Sequence, residues 1–220
     1  MKSNLITKLY KIHRFILYPI IYLADFLQNN CSNFFTPMNI GPVSENFYGV
    51  FLKKNISKND FVLDFGSGAG FFSTLFDKKK YLGVEINKNF VLTSKKKYKN
   101  YNFRLLNKHC LNGYRNKIDT ILINNVMHHL SDAQIEQTFV FFKKKLRPKT
   151  KVFIVEPLFP KTFLSWEFFL KVVDIGHNIK NQKNYLKIFR KCFLINSFIV
   201  KEIRISHVLI LKGFLKKSNF

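Results

Sequence analysis

Three glycines in five residues, Gly66, Gly68 and Gly70, follow directly on the apolar run Phe61-Val62-Leu63-Asp64-Phe65. Glycine loses more conformational freedom on folding than any other residue. So dense a cluster marks a backbone that must turn tightly or meet another molecule at close range. The short apolar run before it suits a strand buried on both faces, as in a parallel sheet. A buried strand running into a glycine-rich turn is how a βαβ unit begins.

The rest of the chain keeps that alternation. Strands are expected over residues 81–86, 101–106, 117–124 and 151–155, and helices over 43–55, 69–76 and 90–99. Ser131-Asp132 predicts the cap of a helix reaching about Leu146, where Arg147-Pro148 stops it. The tail predicts helices over 164–173 and 184–192, then two β-rich runs over 193–203 and 206–211. Spacing of this kind predicts an α/β fold with a doubly wound, mostly parallel sheet, closed by an antiparallel hairpin at its C-terminal edge. Residues 43–220 form one domain in this reading, and residues 1–42 a helical cap segment.

Composition narrows the partners. The 220 residues are 47% hydrophobic, which suits a globular core. A net charge of +24 raises nucleic acid and anionic lipid as partners. Against nucleic acid, no RNA-binding or helix-turn-helix signature is present. The triplets Lys78-Lys79-Lys80, Lys95-Lys96-Lys97 and Lys143-Lys144-Lys145 sit at expected helix ends, where the macrodipole favours cations. Cys31, Cys110 and Cys192 are widely spaced, with no zinc pattern, so no metal is expected and the thiols read as reduced and cytoplasmic.

The N-terminal run at residues 15–23 follows Lys2, Lys8, Lys11 and Arg14 and is interrupted by Pro19. It is shorter than the roughly 20 residues of a membrane span. Leu9, Ile12, Phe15, Ile16, Ile20, Leu23 and Leu27 fall on one helical face. That face suits a cap over the domain, with peripheral membrane contact through residues 1–30 as the other reading.

Three ligands compete for the glycine turn. GSGAGFFS lacks the Lys-Ser/Thr of a P-loop. The spacing Gly66-Ser67-Gly68-Ala69-Gly70 also departs from GxGxxG, whose third glycine comes later. Asp64 would repel a pyrophosphate but can pair with an ammonium group. Glu85, ending YLGVE, is placed to accept two hydrogen bonds from a ribose. Adenosine joined to an amino acid without phosphate is S-adenosylmethionine.

VLDFGSGAG, YLGVEIN, DTILINNVMHHL and LRPKTKVFIVEP, spanning Val62 to Pro157, together resemble the class I S-adenosylmethionine-dependent methyltransferases. The likeness extends to their small-molecule branch, which includes the ubiquinone/menaquinone-type enzymes. It implies a Rossmann-like fold with S-adenosyl-L-methionine as cofactor. Asp64 would then sit near the methionyl moiety, and Gly66, Ser67, Gly68 and Gly70 would form the close-approach turn. The resemblance further implies Glu85 on the ribose, Ile86 against adenine, and Asn124 and Asn125 beside the methionyl group. Many relatives carry an acidic residue after the third strand; here Leu106-Asn107-Lys108-His109-Cys110 stands instead, with His109 as a substitute or a solvated loop residue.

His128 and His129 have a suitable pKa for general-base work, and equally suit a structural turn. The implied reaction is methyl transfer to a small-molecule or lipid-like acceptor. The alternatives are a nucleic-acid methyltransferase, although Asn124-Asn125-Val126-Met127 lacks the motif of the amino-methylases, and a non-catalytic domain of the same fold. Acceptor contacts are expected from the cap and from the aromatic stretch 158–184.

Overall fold

The structure is a computed structural model that describes residues 47–160, 178–203 and 206–216, with Tyr18, Pro19 and Tyr22. The last three are helical. The expected apolar cap face, the helix at 164–173 and most of the aromatic stretch lie outside the described residues.

Seven strands form one sheet in the order β3-β2-β1-β4-β5-β7-β6. They are β1 (Val62–Phe65), β2 (Tyr81–Glu85), β3 (Asn102–Leu105), β4 (Thr120–Asn124), β5 (Lys151–Pro157), β6 (Phe193–Ile203) and β7 (Ser206–Leu215). The first five are parallel. β7 runs antiparallel between β5 and β6, giving the expected edge hairpin. The described helices are α1 (Phe47–Asn55), α2 (Lys88–Lys97), α3 (Asp132–Lys145) and α4 (Gln182–Cys192).

Burial explains why the central strands read as unbroken apolar runs. Every residue of β1, β2 and β4 is buried, because helices and loops cover both faces. One face carries Leu63, Phe65, Leu82, Val84, Ile121, Ile123, Val152 and Ile154, packed with α3 and α4 residues. α3 supplies Ile135, Phe139 and Phe142, spaced by four and three. Its start is the one the sequence predicts: Ser131 and Gln134 form a reciprocal capping box. The opposite face packs Val62, Leu122, Phe153 and Val155 with Leu52 of α1.

One expectation fails. No α-helix occupies residues 69–76; turn residues lead into a single 3-10 turn, Ser73–Leu75. The glycine turn takes the first five residues of the link between β1 and β2. What remains must return along the sheet, and a 3-10 turn advances about 2.0 Å per residue against about 1.5 Å in an α-helix. Lys78–Lys80 likewise forms a separate 3-10 turn capped by Asp77, whereas the other two triplets end α2 and α3 as expected.

Candidate functional site

β1 and β4 lie side by side, and the chain winds outward from them in both directions. The carboxyl ends of these two strands form the topological switch point, where open α/β sheets bind ligands. The glycine turn sits there. Its first two N–H groups, from Gly66 and Ser67, both donate to the Val84 carbonyl, at 2.8 and 3.2 Å.

The three glycines of this turn have φ values of +76°, +52° and +79°, in the left-handed region that side chains disfavour. Their surroundings differ. A Cβ on Gly66 would come within 2.4 Å of Val126, and one on Gly70 within 2.7 Å of Phe103. Those two glycines let the turn pack against the protein. A Cβ on Gly68 would meet nothing within 4 Å. The turn is therefore open at its middle residue.

Glu85 braces the turn from the neighbouring strand. Its Oε2 accepts from the Gly68 N–H at 2.9 Å, and its Oε1 from the N–H groups of Ile86 and Asn87 at 2.8 and 2.9 Å. An ionised carboxylate has about four acceptor sites, so three bonds leave capacity for a ligand hydroxyl.

Strand register brings three candidates onto one face. Asp64 pairs with Gly83 of β2 and Leu122 of β4. Side chains alternate along a strand, so Glu85 and Asn124, two residues further on, share that face. Asp64 is 2% exposed, and its Oδ2 accepts from the Tyr81 hydroxyl at 2.7 Å. Burial is the main force pushing this carboxyl up to about 7; Glu85 adds to it and the Tyr81 bond opposes it. Asn124 Oδ1 and Ser67 Oγ are buried without a hydrogen-bond partner. Orphaned buried polar atoms are costly unless something completes them; one of these belongs to the glycine turn and the other to the carboxyl end of β4.

His128 faces the other way. Glu156, fully buried on β5, accepts from the N–H groups of Val126, Met127 and His128 at 2.8, 2.7 and 3.2 Å. Its Oε2 also accepts from His128 Nδ1 at 2.9 Å. Glu156 alternates with Val155, so it belongs to the α3 face, opposite Asp64 and Asn124. His128 is buried in this turn, and His129 is exposed with its ring centroid 4.1 Å away. Asn125 is exposed too, at φ +56°, its N–H donating to the Val155 carbonyl at 2.9 Å. Ile86, just past the end of β2, is 74% exposed, and Leu105, paired with Glu85 across β2 and β3, is exposed too. His109 lies on an exposed turn, where its Nδ1 is 3.3 Å from Asn112 Nδ2.

Sequence reasoning missed Glu156 and Tyr81. Each is the polar residue of a buried run, FIVEP and YLGV, and a buried polar group must find a partner. That signal was readable; the partner was not.

A family model described as "Methyltransferase domain" matches residues 63–152. That match covers 90 of the 220 residues, 152 − 63 + 1. The match begins in β1, ends in β5 and contains every cofactor candidate named above. Solved structures agree on the fold. A SAM-dependent methyltransferase from Methanosarcina mazei aligns over 78% of this chain and 100% of its own, at 16% identity and a TM-score of 0.60. Magnesium protoporphyrin IX methyltransferase from Synechocystis PCC 6803, with bound SAH, aligns over 77% and 80%, at 18% identity and 0.53. A geranyl diphosphate methyltransferase in complex with GPP and sinefungin aligns over 75% and 77%, at 13% and 0.57. At these identities the likeness is one of fold: a Rossmann-like methyltransferase sheet with an antiparallel edge pair. No curated protein matches the sequence.

Proposed function

We propose that the chain is an S-adenosylmethionine-dependent methyltransferase acting on a small, largely apolar acceptor. One observation carries this reading: Asp64, Glu85 and Asn124 share a sheet face at the carboxyl ends of three adjacent strands, beside a glycine turn open at Gly68. The orphaned Asn124 Oδ1 and Ser67 Oγ fit a ligand that brings donors of its own.

S-adenosylmethionine supplies an electrophilic methyl group held on a sulfonium. The chain's residues bind and orient. In this reading Glu85 accepts from the ribose hydroxyls with its remaining capacity while it holds Gly68 in place. Asp64 receives the ammonium group of the amino-acid end, and Asn124 Oδ1 accepts a donor beside it. Ile86 and Leu105 provide an apolar surface for the adenine, which offsets the absence of an acidic residue after β3. Asn125 lines the mouth of the site. His128 is held by Glu156 as a turn residue, which leaves the exposed His129 as the candidate base.

For the acceptor class, the carboxyl end of β5 offers support on the α4 side of the sheet. A cleft of about 410 Å³ opens there, with Leu158, Phe159 and Leu186 in its wall and Lys183 and Arg190 among its polar lining. The geranyl diphosphate and protoporphyrin enzymes of this fold are named for acceptors that are apolar and anionic at once. A lipid-like acid would match this lining. The same reading keeps the enzyme cytoplasmic, with residues 1–30 as a peripheral contact to membrane.

Calorimetric titration with S-adenosylmethionine and S-adenosylhomocysteine tests the reading, followed by a metabolite screen with labelled methyl donor. Saturable binding of both and label in an apolar acid are expected. Absence of binding at millimolar ligand would refute the enzyme. Label in nucleic acid would refute the acceptor class.

A further inference from the structure

We infer that Tyr81 is a positioning residue of the cofactor site: its hydroxyl holds the Asp64 carboxylate in the place that receives the cofactor's ammonium group. The inference rests on the methyltransferase reading above and adds to it a residue outside the glycine motif.

Tyr81 opens β2 and is 1% exposed. Its hydroxyl donates to Asp64 Oδ2 at 2.7 Å across the β1–β2 pair. The ring is fixed on three sides. Phe76 stacks on it at 5.9 Å and 16°, and Tyr101 and Phe103 meet it edge-on at 5.6 and 5.7 Å. A ring so enclosed cannot swing, so its hydroxyl is a donor at a set point. Phenylalanine would serve the aromatic packing equally well. The hydroxyl answers to Asp64.

The charges around the pair show why that bond matters. Glu85 lies on the same face and repels the ionised form of Asp64, as burial does, whereas the Tyr81 bond favours it. Tyr98, Tyr101 and Asp64 itself act on the Tyr81 hydroxyl, and Asp77 acts on Tyr101. Leu122 and Asn124 of β4 and Leu52 of α1 bring no charge to this face. Among the described residues no cation is paired with Asp64. The carboxylate is therefore poised near neutrality, kept partly ionised by one donor, and a bound ammonium group would complete it.

Tyr81→Phe keeps the ring and deletes the donor. Binding is measured by calorimetry from pH 5.5 to 7.5 with two probes: S-adenosylmethionine, and 5′-methylthioadenosine, which lacks the amino-acid end. In the wild type, S-adenosylmethionine should bind about tenfold more tightly at pH 7.5 than at 5.5, as Asp64 ionises. Tyr81→Phe should weaken it about tenfold at pH 7 and move the tightening to higher pH. Asp64→Asn should remove the pH dependence. Methylthioadenosine should bind all three proteins alike at every pH.

A Tyr81→Phe protein that binds S-adenosylmethionine with the wild-type affinity and profile would overturn the inference. So would an equal loss of methylthioadenosine binding, which would mark Tyr81 as structural. If Tyr81→Phe does not fold, a pH-independent wild type or an unaltered Asp64→Asn protein overturns it. A wild type that binds neither probe would overturn the methyltransferase reading as well, so the two failures are distinct.

Discussion

His128 and Glu156 form a buried pair in which a carboxylate on β5 accepts from His128 Nδ1 at 2.9 Å and from three consecutive backbone N–H groups of the turn beyond β4. The pair fastens the carboxyl end of β4 to that of β5. Glu156→Ala would strand these donors in a dry interior, so unfolding free energy should drop by roughly 3 kcal/mol or more, read by urea titration. His129→Ala, at an exposed position, should leave stability within about 0.5 kcal/mol. A Glu156→Ala protein as stable as wild type would mean the carboxylate does not hold the turn.

Glu85 should be both structural and cofactor-binding. Its bonds to Gly68, Ile86 and Asn87 tie three parts of the chain itself together. Glu85→Ala should therefore lower the melting temperature of the free protein and also weaken S-adenosylmethionine by about 1–3 kcal/mol. Scanning fluorimetry with and without ligand separates the effects. A variant that loses only stability would leave the ribose assignment without support.

The glycines should separate by variant. Gly68→Ala meets open space and bears only the strain of φ +52°, a cost of about 1–2 kcal/mol. Gly66→Ala adds a collision with Val126 and should be clearly less stable. Yet Gly68→Ala should weaken cofactor binding at least tenfold if the ligand lies in that space. Tight binding by folded Gly68→Ala would put the cofactor elsewhere.

Asp64 makes the fold pH-sensitive. Its pKa is raised from 3.8 to about 7 in the folded protein, so the native state holds this proton more firmly than the unfolded chain. Its contribution is fully present below pH 4 and is lost as pH rises to 7. The buried charge then costs up to about 4 kcal/mol, at 1.36 kcal/mol for each pH unit between the two values. Asp64→Asn should flatten stability between pH 4 and 7 and raise the melting temperature at pH 8, while weakening the cofactor. Lower stability of the Asn variant at pH 8 would show that Asp64 is not a buried cost.

Much of this protein was determined by local pattern alone. Unbroken apolar runs located β1, β2, β4 and β5, because strands covered on both faces have no polar side to show. Ser131 marked the start of α3, and the two β-rich runs at the C-terminus gave the edge hairpin. The glycine spacing with Asp64 and Glu85 indicated the cofactor. Tertiary structure decided the rest. The link after the glycine turn became a 3-10 turn because its length had to be shared between the turn and the return along the sheet. Tyr81 and Glu156 stood out as polar groups in buried runs, but their partners, Asp64 and the 126–128 turn, lie 17 to 30 residues away in sequence. Strand register alone brings such groups together. Register also set Asp64, Glu85 and Asn124 on one face and Glu156 on the other. Periodicity reports how deeply a residue is buried; only the pairing of distant strands decides what it is buried against.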